Sequence, residues 1–264
     1  MNVGANYLRE HIPTSARVHY AVTNTGGMSP NVVQSHAEVL YLIRSKTIAE
    51  VDDIYKRIVK IAEGAALMTE TKVTVKFDKA CSNYIPNDTI NKIIFEKLEQ
   101  VGLPEYSNEE LAYAQQMANT ISPQELQSAK EEIKQLAGTQ AGHLQLEQHT
   151  SSFYYQVIPY EKGDKTMAGS TDVADVSWVV PTAQFFTTCF VLGTPLHTWQ
   201  LVSQGKTSLS HKGMLYAGKV LAATAIELFH NPDYIVQAKQ ELEQQTKNAY
   251  RNPIPKDVHP NMYG

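Results

Sequence analysis

A chain of 264 residues with 42% hydrophobic and 19% charged side chains has the composition of a soluble globular protein of one large or two ordinary domains. Its net charge of −4 is spread along the chain without a basic block, which argues against nucleic acid and against an anionic membrane as partners. Only two cysteines occur, no stretch reaches the roughly 20 apolar residues of a membrane span, and the start lacks a signal-peptide pattern, so we expect a cytoplasmic protein without a disulfide framework.

The first 80 residues alternate helical and extended patterns. Residues 2–12 predict a short helix, and a capping box formed by Thr47 and Glu50 opens a long amphipathic one. Three stretches have the apolar and β-branched patterns of strands: 17–23, 36–44 and 71–77. The second of these is apolar on both faces, which predicts a central strand. The order helix, strand, strand, helix, strand is typical of an open-faced α+β sandwich with both helices on one side of the sheet.

From about residue 81 the patterns become mainly helical. Asp88 is expected to cap a helix that ends at Gly102. Two further capping boxes and two later amphipathic stretches predict four more helices: from Ser107 to about 119, from Ser122 to about 137, over 211–229 and over 233–250. The segment 138–169 gives mixed signals and is expected to be irregular, apart from a candidate strand in SFYYQVI, whereas 183–193 has the apolar and β-branched content of a buried strand.

Spacing alone provides little evidence for a catalytic or metal site. There is no H-x-D or H-E-x-x-H pair, and no nucleophile elbow, phosphate loop or dinucleotide fingerprint, which argues against serine hydrolases and nucleotide-binding enzymes. His143, Glu147 and His149 lie within seven residues and could hold a metal ion, but such spacing also arises by chance. His211 lies in the first turn of a predicted helix and has no neighbouring ligand in the sequence.

Three sequence blocks resemble the metallopeptidase family 20 amidohydrolases. NTGGMSPNVVQSHAEVLYLIRS is similar to the signature of the family's lid domain, which it matches at Gly26, Gly27, Asn31 and Arg44, with Gln34 in place of the usual proline. GSTDVADVSW is similar to the family's Gly-x-Thr-Asp segment, and TSLSHKGM to its C-terminal histidine segment. Further blocks of this kind extend the resemblance over nearly the whole chain.

The resemblance implies an α/β protein of two parts. Residues 1–80 would be a lid/dimerisation domain, an α+β unit with helices over an open sheet that lacks its first strand, and 81–264 would be the C-terminal part of a zinc-peptidase-like α/β catalytic domain. The family's catalytic half with its H-x-D pair, and the paired glutamates that supply its general base, have no counterpart here. We therefore expect the C-terminal portion of an enzyme, without catalytic residues of its own.

The resemblance also implies roles around a metal. His211 corresponds to the family's C-terminal metal ligand, and its place at a helix N-terminus favours the neutral imidazole that a ligand needs. His197 in PLHTWQ competes for that role because the alignment is loose there, and a structural histidine is the alternative for both. Asp172 and Asp175 would either support the metal pocket from behind the ligands or cap the helix that DVSWVV predicts.

A substrate role is implied for the glycine-rich loop and for the strand after it. Arg44, whose guanidinium can grip a carboxylate with two hydrogen bonds, and Asn31 would hold the substrate's carboxylate, often across a dimer. Gly26 and Gly27 would let the backbone approach that ligand closely. The alternative for Arg44 is an ion pair at the end of the sheet.

The function that the resemblance implies is that of the C-terminal portion of a metal-dependent amidohydrolase for N-acyl amino acids such as aminobenzoyl-glutamate. Zinc or another divalent metal would activate water in the complete enzyme, but this chain alone would not hold it tightly and would be inactive. The expected partners are a second copy, bound through the lid domain, and an N-terminal half supplied by another chain. The alternative is a non-catalytic dimerisation protein of the same family. Without the missing half, apolar edges in 183–193 would promote oligomerisation or aggregation.

Overall fold

The computed structural model describes residues 1–137, 139–149, 151, 153–162 and 169–259. The chain divides into two compact units, with Met1–Tyr84, Ser170–Asp175 and Arg251–Gly264 in the first and Ile85–Gly169 and Val176–Tyr250 in the second. The described structure mixes helices with an antiparallel sheet, so the prediction of a mixed α/β protein is confirmed. The assignment of residues 1–80 to a lid domain and of 81–264 to part of a catalytic domain stays a prediction.

The first unit contains a two-stranded sheet and the helices that pack on it. Its elements in chain order are α1 (Asn2–Leu8), a 3-10 turn (Arg9–His11), β1 (Arg17–Asn24), β2 (Glu38–Arg44) and α2 (Ile48–Met68). The predicted helix over 2–12 and the first two predicted strands are thereby confirmed. The capping box that opens α2 is confirmed as well, because Thr47 Oγ1 accepts from the Glu50 N–H and Glu50 Oε2 accepts from the Thr47 N–H.

The sheet of the first unit has one covered and one exposed face. The strands run antiparallel with Val18 opposite Ile43, and both side chains contribute to the apolar cluster under the helices. The buried members of that cluster are Ala5, Leu8, Ala16, Val18, Ile54 and Ile58. On the other face of β2, Leu40 and Leu42 are exposed. The prediction of a central strand is therefore wrong for the described residues, because apolar side chains on both faces do not by themselves supply a second neighbouring strand.

The prediction of a third strand over 71–77 is also wrong. This stretch follows α2 and has no strand pairing in the described part of the chain. One of its apolar side chains instead packs on the helix, where the Phe77 and Tyr55 rings meet edge-on with their centroids 5.8 Å apart. Alternating apolar and polar residues indicate which face of an extended segment is buried, but they do not determine which neighbouring strand pairs with it.

Helices form most of the regular structure in the rest of the described chain. They are α3 (Asp88–Val101), α4 (Asn108–Ala118), α5 (Pro123–Ala137), α6 (Gln140–Gln148), α7 (Val173–Ser177), α8 (Trp199–Gln204), α9 (Ser208–His230) and α10 (Asp233–Thr246). The capping boxes at Ser107 and Ser122 are present, and the helices predicted over 211–229 and 233–250 are confirmed, the latter ending earlier, at Thr246. Within the described ranges, every helix is too short or too polar to cross a membrane.

The residue that caps α3 also ties this helix to α10. Asn87, and not the predicted Asp88, is the cap, because its Oδ1 accepts from the Ile90 N–H at 3.1 Å. At the same time its Nδ2 donates to the Ala238 carbonyl oxygen at 2.9 Å. An amide can accept and donate at once, which a carboxylate cannot, so one buried side chain serves both helices. Asp88 instead accepts a hydrogen bond from the Tyr160 hydroxyl.

Three predictions for the segments between helices are wrong. The stretch 138–169, predicted as irregular, includes helix α6, whose cap Thr139 Oγ1 accepts from the Gly142 N–H at 2.8 Å. Neither the described residues of SFYYQVI nor 183–193 form a strand. In 183–193, Val191 is fully buried whereas Phe186 is largely exposed. Aromatic and β-branched content indicates a surface to be covered, but strand pairing depends on a neighbour that composition does not specify.

Helix α9 is held on α3 by an apolar seam and one ion pair. Tyr216 and Val220 of α9 pack with Ile94 of α3. Lys97 of α3 is buried, and its Nζ donates to Glu227 Oε2 of α9 at 2.6 Å. Because the Glu227 side chain lies closer to solvent than that of Lys97, the ammonium depends on the carboxylate more than the carboxylate depends on the ammonium.

Glu227→Gln and Lys97→Met should therefore differ in their effect on stability. Glu227→Gln leaves a buried ammonium without its charged partner and should lower the free energy of unfolding. Lys97→Met removes the buried charge and should cost less. Urea unfolding followed by circular dichroism measures both variants. A larger loss for Lys97→Met than for Glu227→Gln would contradict this dependence of the ammonium on the carboxylate.

The N-terminal ends of α4 and α9 share one carboxylate. Glu110 Oε2 accepts from the Ser107 N–H at 2.7 Å and from Lys212 Nζ at 2.6 Å. The hydrogen bond from Lys212, followed by that from Ser208, lowers the pKa of Glu110 to about 2. The pKa of Glu110 in the folded protein lies below its ordinary value of 4.5. The ionised carboxylate therefore stabilises the fold fully above pH 4.5, and this stabilisation is lost as the pH falls from 4.5 toward 2.

Glu110→Gln should flatten the acid branch of the stability profile. The amide keeps the shape of the side chain but does not titrate, so the free energy of unfolding should fall less between pH 4.5 and pH 2 than in the unmodified protein. Thermal unfolding at several pH values in this range measures the difference. Glu109→Gln, at the exposed neighbouring carboxylate of the same first turn, is the control and should follow the unmodified profile. The same steep acid branch in Glu110→Gln would show that this carboxylate does not carry the effect.

Candidate functional site

The glycine-rich loop between β1 and β2 carries three of the predicted substrate-binding residues. Gly26 has a left-handed backbone with φ +82°, and a Cβ there would lie 2.2 Å from the His36 carbonyl oxygen. At Gly27 a Cβ would lie 2.8 Å from Nε2 of Gln34. The two glycines are thus required by the close packing of the loop on itself, with Gln34 lying against them. Asn31 is exposed farther along the loop.

Arg44, the fourth predicted substrate-binding residue, ends β2 in a charged neighbourhood of the first unit. Burial raises the pKa of the Cys81 thiol, the charge of Asp175 raises it further, Arg44 lowers it, and Asp172 raises it again. Arg44, Asp172 and Asp175 therefore all lie close enough to Cys81 to act on its thiol. Asp175 also accepts from the Ser82 N–H at 3.1 Å and from Ser82 Oγ at 2.6 Å. The sequence offers no signal for that contact, because its partners lie 93 positions apart.

His197 lies in a loop of the second unit whose backbone is strained. It is exposed and has φ +62°, a region that residues other than glycine adopt at a cost on the order of 1–3 kcal/mol. The loop begins at Gly193, with φ +85°, where a Cβ would lie 3.0 Å from Cα of Leu126. Immediately after His197, Thr198 Oγ1 donates to the Pro195 carbonyl oxygen at 2.7 Å. The conformation of His197 is therefore set by close packing and hydrogen bonds on both sides.

A buried amide of helix α8 holds this loop. The Gln204 side chain is fully buried, and its Oε1 accepts from the Val191 N–H at 2.8 Å. Its Nε2 donates to Thr194 Oγ1 at 3.0 Å and to the Gln200 carbonyl oxygen at 3.1 Å. Thr194 Oγ1 in turn donates to the Val191 carbonyl oxygen at 2.7 Å. A connected network of this kind fixes the backbone that leads to His197, and no local sequence pattern predicts it.

His211 lies at the end of the first turn of α9, as predicted, and its side chain is exposed. Its N–H donates to the Thr207 carbonyl oxygen at 3.1 Å, which is the ordinary helical hydrogen bond. The Thr207 side chain caps the helix by accepting from the Ser210 N–H at 3.3 Å. The backbone of His211 is therefore regular, in contrast to that of His197.

The candidate metal ligands do not converge. Among the described residues, no three side chains of His, Cys, Asp or Glu come together in a way that could hold a metal ion. Each member of the HLQLEQH group has its own protein partner: His143 Nε2 contacts the Lys134 carbonyl oxygen at 2.7 Å, Glu147 pairs with Lys134 Nζ at 2.8 Å, and His149 Nε2 contacts the Phe153 carbonyl oxygen at 3.1 Å. The described residues alone therefore do not fit the two-metal centre that the family resemblance implies.

Two cavities lie in the second unit, and one of the candidate histidines lines the first. This cavity, of about 450 Å³, is lined by His149 together with Gln145, Gln148, Ser151, Tyr155 and Gln156. The other, of about 300 Å³, lies at the N-terminal ends of α4 and α9 and is lined by Tyr113 and Lys212 among others. Neither cavity is lined by His197 or His211, so both histidines lie on the surface of this unit.

Gln204→Leu should release the loop that carries His197. Leucine cannot replace the hydrogen bonds to Val191 and Thr194, so the free energy of unfolding should fall by roughly 1–3 kcal/mol. Hydrogen exchange at the Val191 amide should accelerate by about tenfold or more, measured by mass spectrometry. Gln200→Leu, in the same helix, is the control because only its backbone carbonyl takes part in the network. Equal exchange at Val191 in both variants and in the unmodified protein would contradict a holding role for Gln204.

Comparison with known proteins gives two relatives. No family model matches the chain. The chain is 50% identical over 261 residues to the p-aminobenzoyl-glutamate hydrolase subunit designated B, from Escherichia coli (strain K12), a match that covers 98% of this chain and 54% of that protein. It is 23% identical over 239 residues to Xaa-Arg dipeptidase of Mus musculus, covering 89% of this chain and 42% of that protein.

The two matches show which proteins the chain is related to and how much of each relative it spans. It spans about half of the length of the curated relatives it matches. Both relatives are named for hydrolytic activities, as the resemblance to amidohydrolases predicted. The predicted resemblance is confirmed: along nearly its whole length, the chain is a relative of the Escherichia coli p-aminobenzoyl-glutamate hydrolase subunit, corresponding to about half of that protein.

Proposed function

We propose that the chain is the C-terminal part of a metal-dependent amidohydrolase of metallopeptidase family 20, which cleaves the amide bond of an N-acyl amino acid such as p-aminobenzoyl-glutamate. The observation that carries this proposal is the 50% identity over 98% of the chain to a hydrolase named for that substrate. The match to a dipeptidase supports the same reaction class, because a dipeptide is also joined by an amide bond.

The free carboxylate of the substrate would bind in the first unit. Arg44 provides a guanidinium that can hold a carboxylate by two parallel hydrogen bonds, and the carboxylates beside it would orient that group. Asn31 adds an exposed amide in the glycine-rich loop. The close contacts of Gly26 and Gly27 are with their own loop, so these glycines would shape the loop that presents Asn31.

One histidine of the second unit would serve as a metal ligand. The metal, zinc or another divalent ion, would activate water for attack on the amide carbonyl. The motif favours His211, whereas the strained backbone and the buried amide behind the loop favour His197. Strained conformations persist only where the surroundings over-determine them, and they cluster at functional sites. We therefore place His197 ahead of His211.

Asp172 and Asp175 would act on substrate binding in the first unit. Their charges reach Cys81 together with that of Arg44, which places all of them in one polar neighbourhood. Asp175 is also engaged by the Ser82 backbone and hydroxyl, so it holds that segment in place. We assign both carboxylates the task of positioning Arg44 rather than that of supporting a metal.

The active protein would need more polypeptide than this chain provides. The Escherichia coli relative is about twice as long as the segment matched here, and its name describes it as one subunit of a hydrolase. The part of the enzyme that this chain does not span would supply the remaining metal ligands and the general base. A second copy would bind through the first unit, and the protein would act in the cytoplasm.

A chimera tests this function. It carries this chain in place of the 261 matched residues of the Escherichia coli protein, and is expressed in a strain of that bacterium that lacks the original protein. Release of p-aminobenzoate from p-aminobenzoyl-glutamate is measured with Zn²⁺ or Mn²⁺ added. The chimera should turn over and this chain alone should not. Turnover by the chain alone would contradict the need for further polypeptide, and a folded but inactive chimera would contradict the assigned reaction.

Histidine variants of the chimera distinguish the two ligand candidates. His197→Ala should lower kcat/KM by about 100-fold or more. Replacing a residue that only hydrogen-bonds to a metal ligand already costs roughly 10- to 100-fold in metal affinity or activity. His211→Ala should have a smaller effect, and His230→Ala, at the exposed C-terminal end of α9, should have none. Metal content is measured alongside activity. The opposite order would assign the ligand role to His211, and full activity in both variants would exclude it for either.

A further inference from the structure

One side of helix α9 presents an apolar face to solvent. Five large side chains there are more than half exposed: Met214, Leu215, Leu221, Ile226 and Phe229. At 100° per residue they lie on one side of the helix, with three small exposed residues between them: Gly218, Ala222 and Ala225. We refer to these eight residues as the α9 outer face. It runs for about 20 Å along the helix.

The opposite side of α9 fixes this orientation. The buried residues of the helix all lie there: Leu209, Gly213, Tyr216, Val220 and Thr224. A Cβ at Gly213 would lie 2.1 Å from the Thr188 carbonyl oxygen, so the helix meets its neighbouring segment at backbone distance. Because this side is packed so closely, α9 cannot rotate to bury the outer face without losing its contacts with α3.

The outer face has the character of an interface. Single exposed apolar side chains are ordinary on protein surfaces, but five on successive turns form a contiguous patch of the kind that binds another polypeptide. Phe229 is 81% exposed. A Cβ at Gly218 would have no atom within 4 Å among its surroundings, so a partner can approach the helix axis closely at this point.

The segment beside the start of α9 extends the same surface. Thr187 Oγ1 donates to the Gly213 carbonyl oxygen at 3.0 Å, which holds this segment against the helix. Phe186 next to it is 73% exposed, and 183–190 forms no strand pairing within the part of the chain that the structure describes. An extended segment with an exposed ring, next to an apolar helix face, suits a partner that supplies both a strand and apolar side chains.

We propose that the α9 outer face is an internal interface of the assembled enzyme, covered by the polypeptide equivalent to the part of the Escherichia coli hydrolase subunit that this chain does not span. The chain matches only 54% of that relative, so nearly as much polypeptide again must pack against something. A rigidly oriented apolar helix face in the matched part offers that contact. The inference rests on the proposed function only for the identity of the assembly, and it depends on neither the metal nor the substrate.

Binding of the two parts tests this interface. The unmatched part of the Escherichia coli protein is expressed separately, and its affinity for this chain is measured by calorimetry. Leu221→Glu combined with Phe229→Glu should weaken binding by about 100-fold or more, because a charge would be buried in an apolar contact. Both positions are exposed in the free chain, so its own unfolding should be unchanged. Leu67→Glu, at an 82% exposed position of α2, is the matched control and should bind as the unmodified chain does.

Thiol labelling in the single-chain chimera provides a second measurement that does not require the separate part to fold. Ala225→Cys is introduced into this chain and into the chimera, and the rate of reaction with a maleimide is compared. The rate should fall by about tenfold or more in the chimera, because the outer face would be covered there. Cys81, which lies in the first unit and is present in both proteins, serves as the internal reference, and Cys189 is replaced by serine in both because it lies beside α9.

The outcomes separate this proposal from its competitors. Equal affinity for the charged variant, or equal labelling in the chain and in the chimera, would overturn it. A dimer of the chain alone that Phe229→Glu dissociates, with binding to the other part unaffected, would assign the face to a second copy and would also overturn it. Neither measurement depends on turnover. An inactive chimera in the amidase assay therefore does not decide whether the α9 outer face is covered, and an uncovered outer face does not decide whether the chimera is active.

Discussion

The packing of α9 on α3 is the contact on which the second unit depends. Tyr216 inserts between the helices and its hydroxyl donates to the Leu98 carbonyl oxygen, while Lys97 and Glu227 pair at 2.6 Å. A helix that is fixed on one side must present its other side outward, so the same contact creates the α9 outer face. The close approach at Gly213 then positions the neighbouring extended segment. One helix thus determines both the core of this unit and its exposed apolar surface.

Polar networks and close packing together set the geometry of the candidate site residues. Gln204 satisfies its amide entirely within the protein and thereby holds the loop of His197 in a conformation that an isolated peptide would avoid. Asp175 holds Ser82 in a similar way in the first unit, close to Arg44. Removing the buried amide of Gln204 or the half-buried carboxylate of Asp175 leaves its partners without these hydrogen bonds, so both residues contribute strongly to local order.

The relation to proteins twice as long gives these features a common explanation. A self-sufficient protein of this size would be expected to bury the large apolar side chains of its longest helix, and a metallohydrolase would be expected to bring its ligands together. Here α9 is apolar on both sides, and no three ligands converge among the described residues. The chain spans 54% of its Escherichia coli relative, and under the proposed function the polypeptide outside that match would cover α9 and complete the site.

The sequence by itself determined most of the helices, the first two strands and the relationship of the chain to the hydrolases, whereas tertiary structure decided the contacts between distant segments. Capping boxes such as Thr47 with Glu50 were readable because both partners lie within one turn, and the Arg44 and His211 motifs were readable as a resemblance. The sequence did not reveal that 71–77 lacks a strand partner, that Asn87 caps α3, or that Gln204 forms its hydrogen-bond network. Hydrogen bonds between distant segments depend on which surfaces meet in three dimensions, and periodicity along the chain carries no information about that choice.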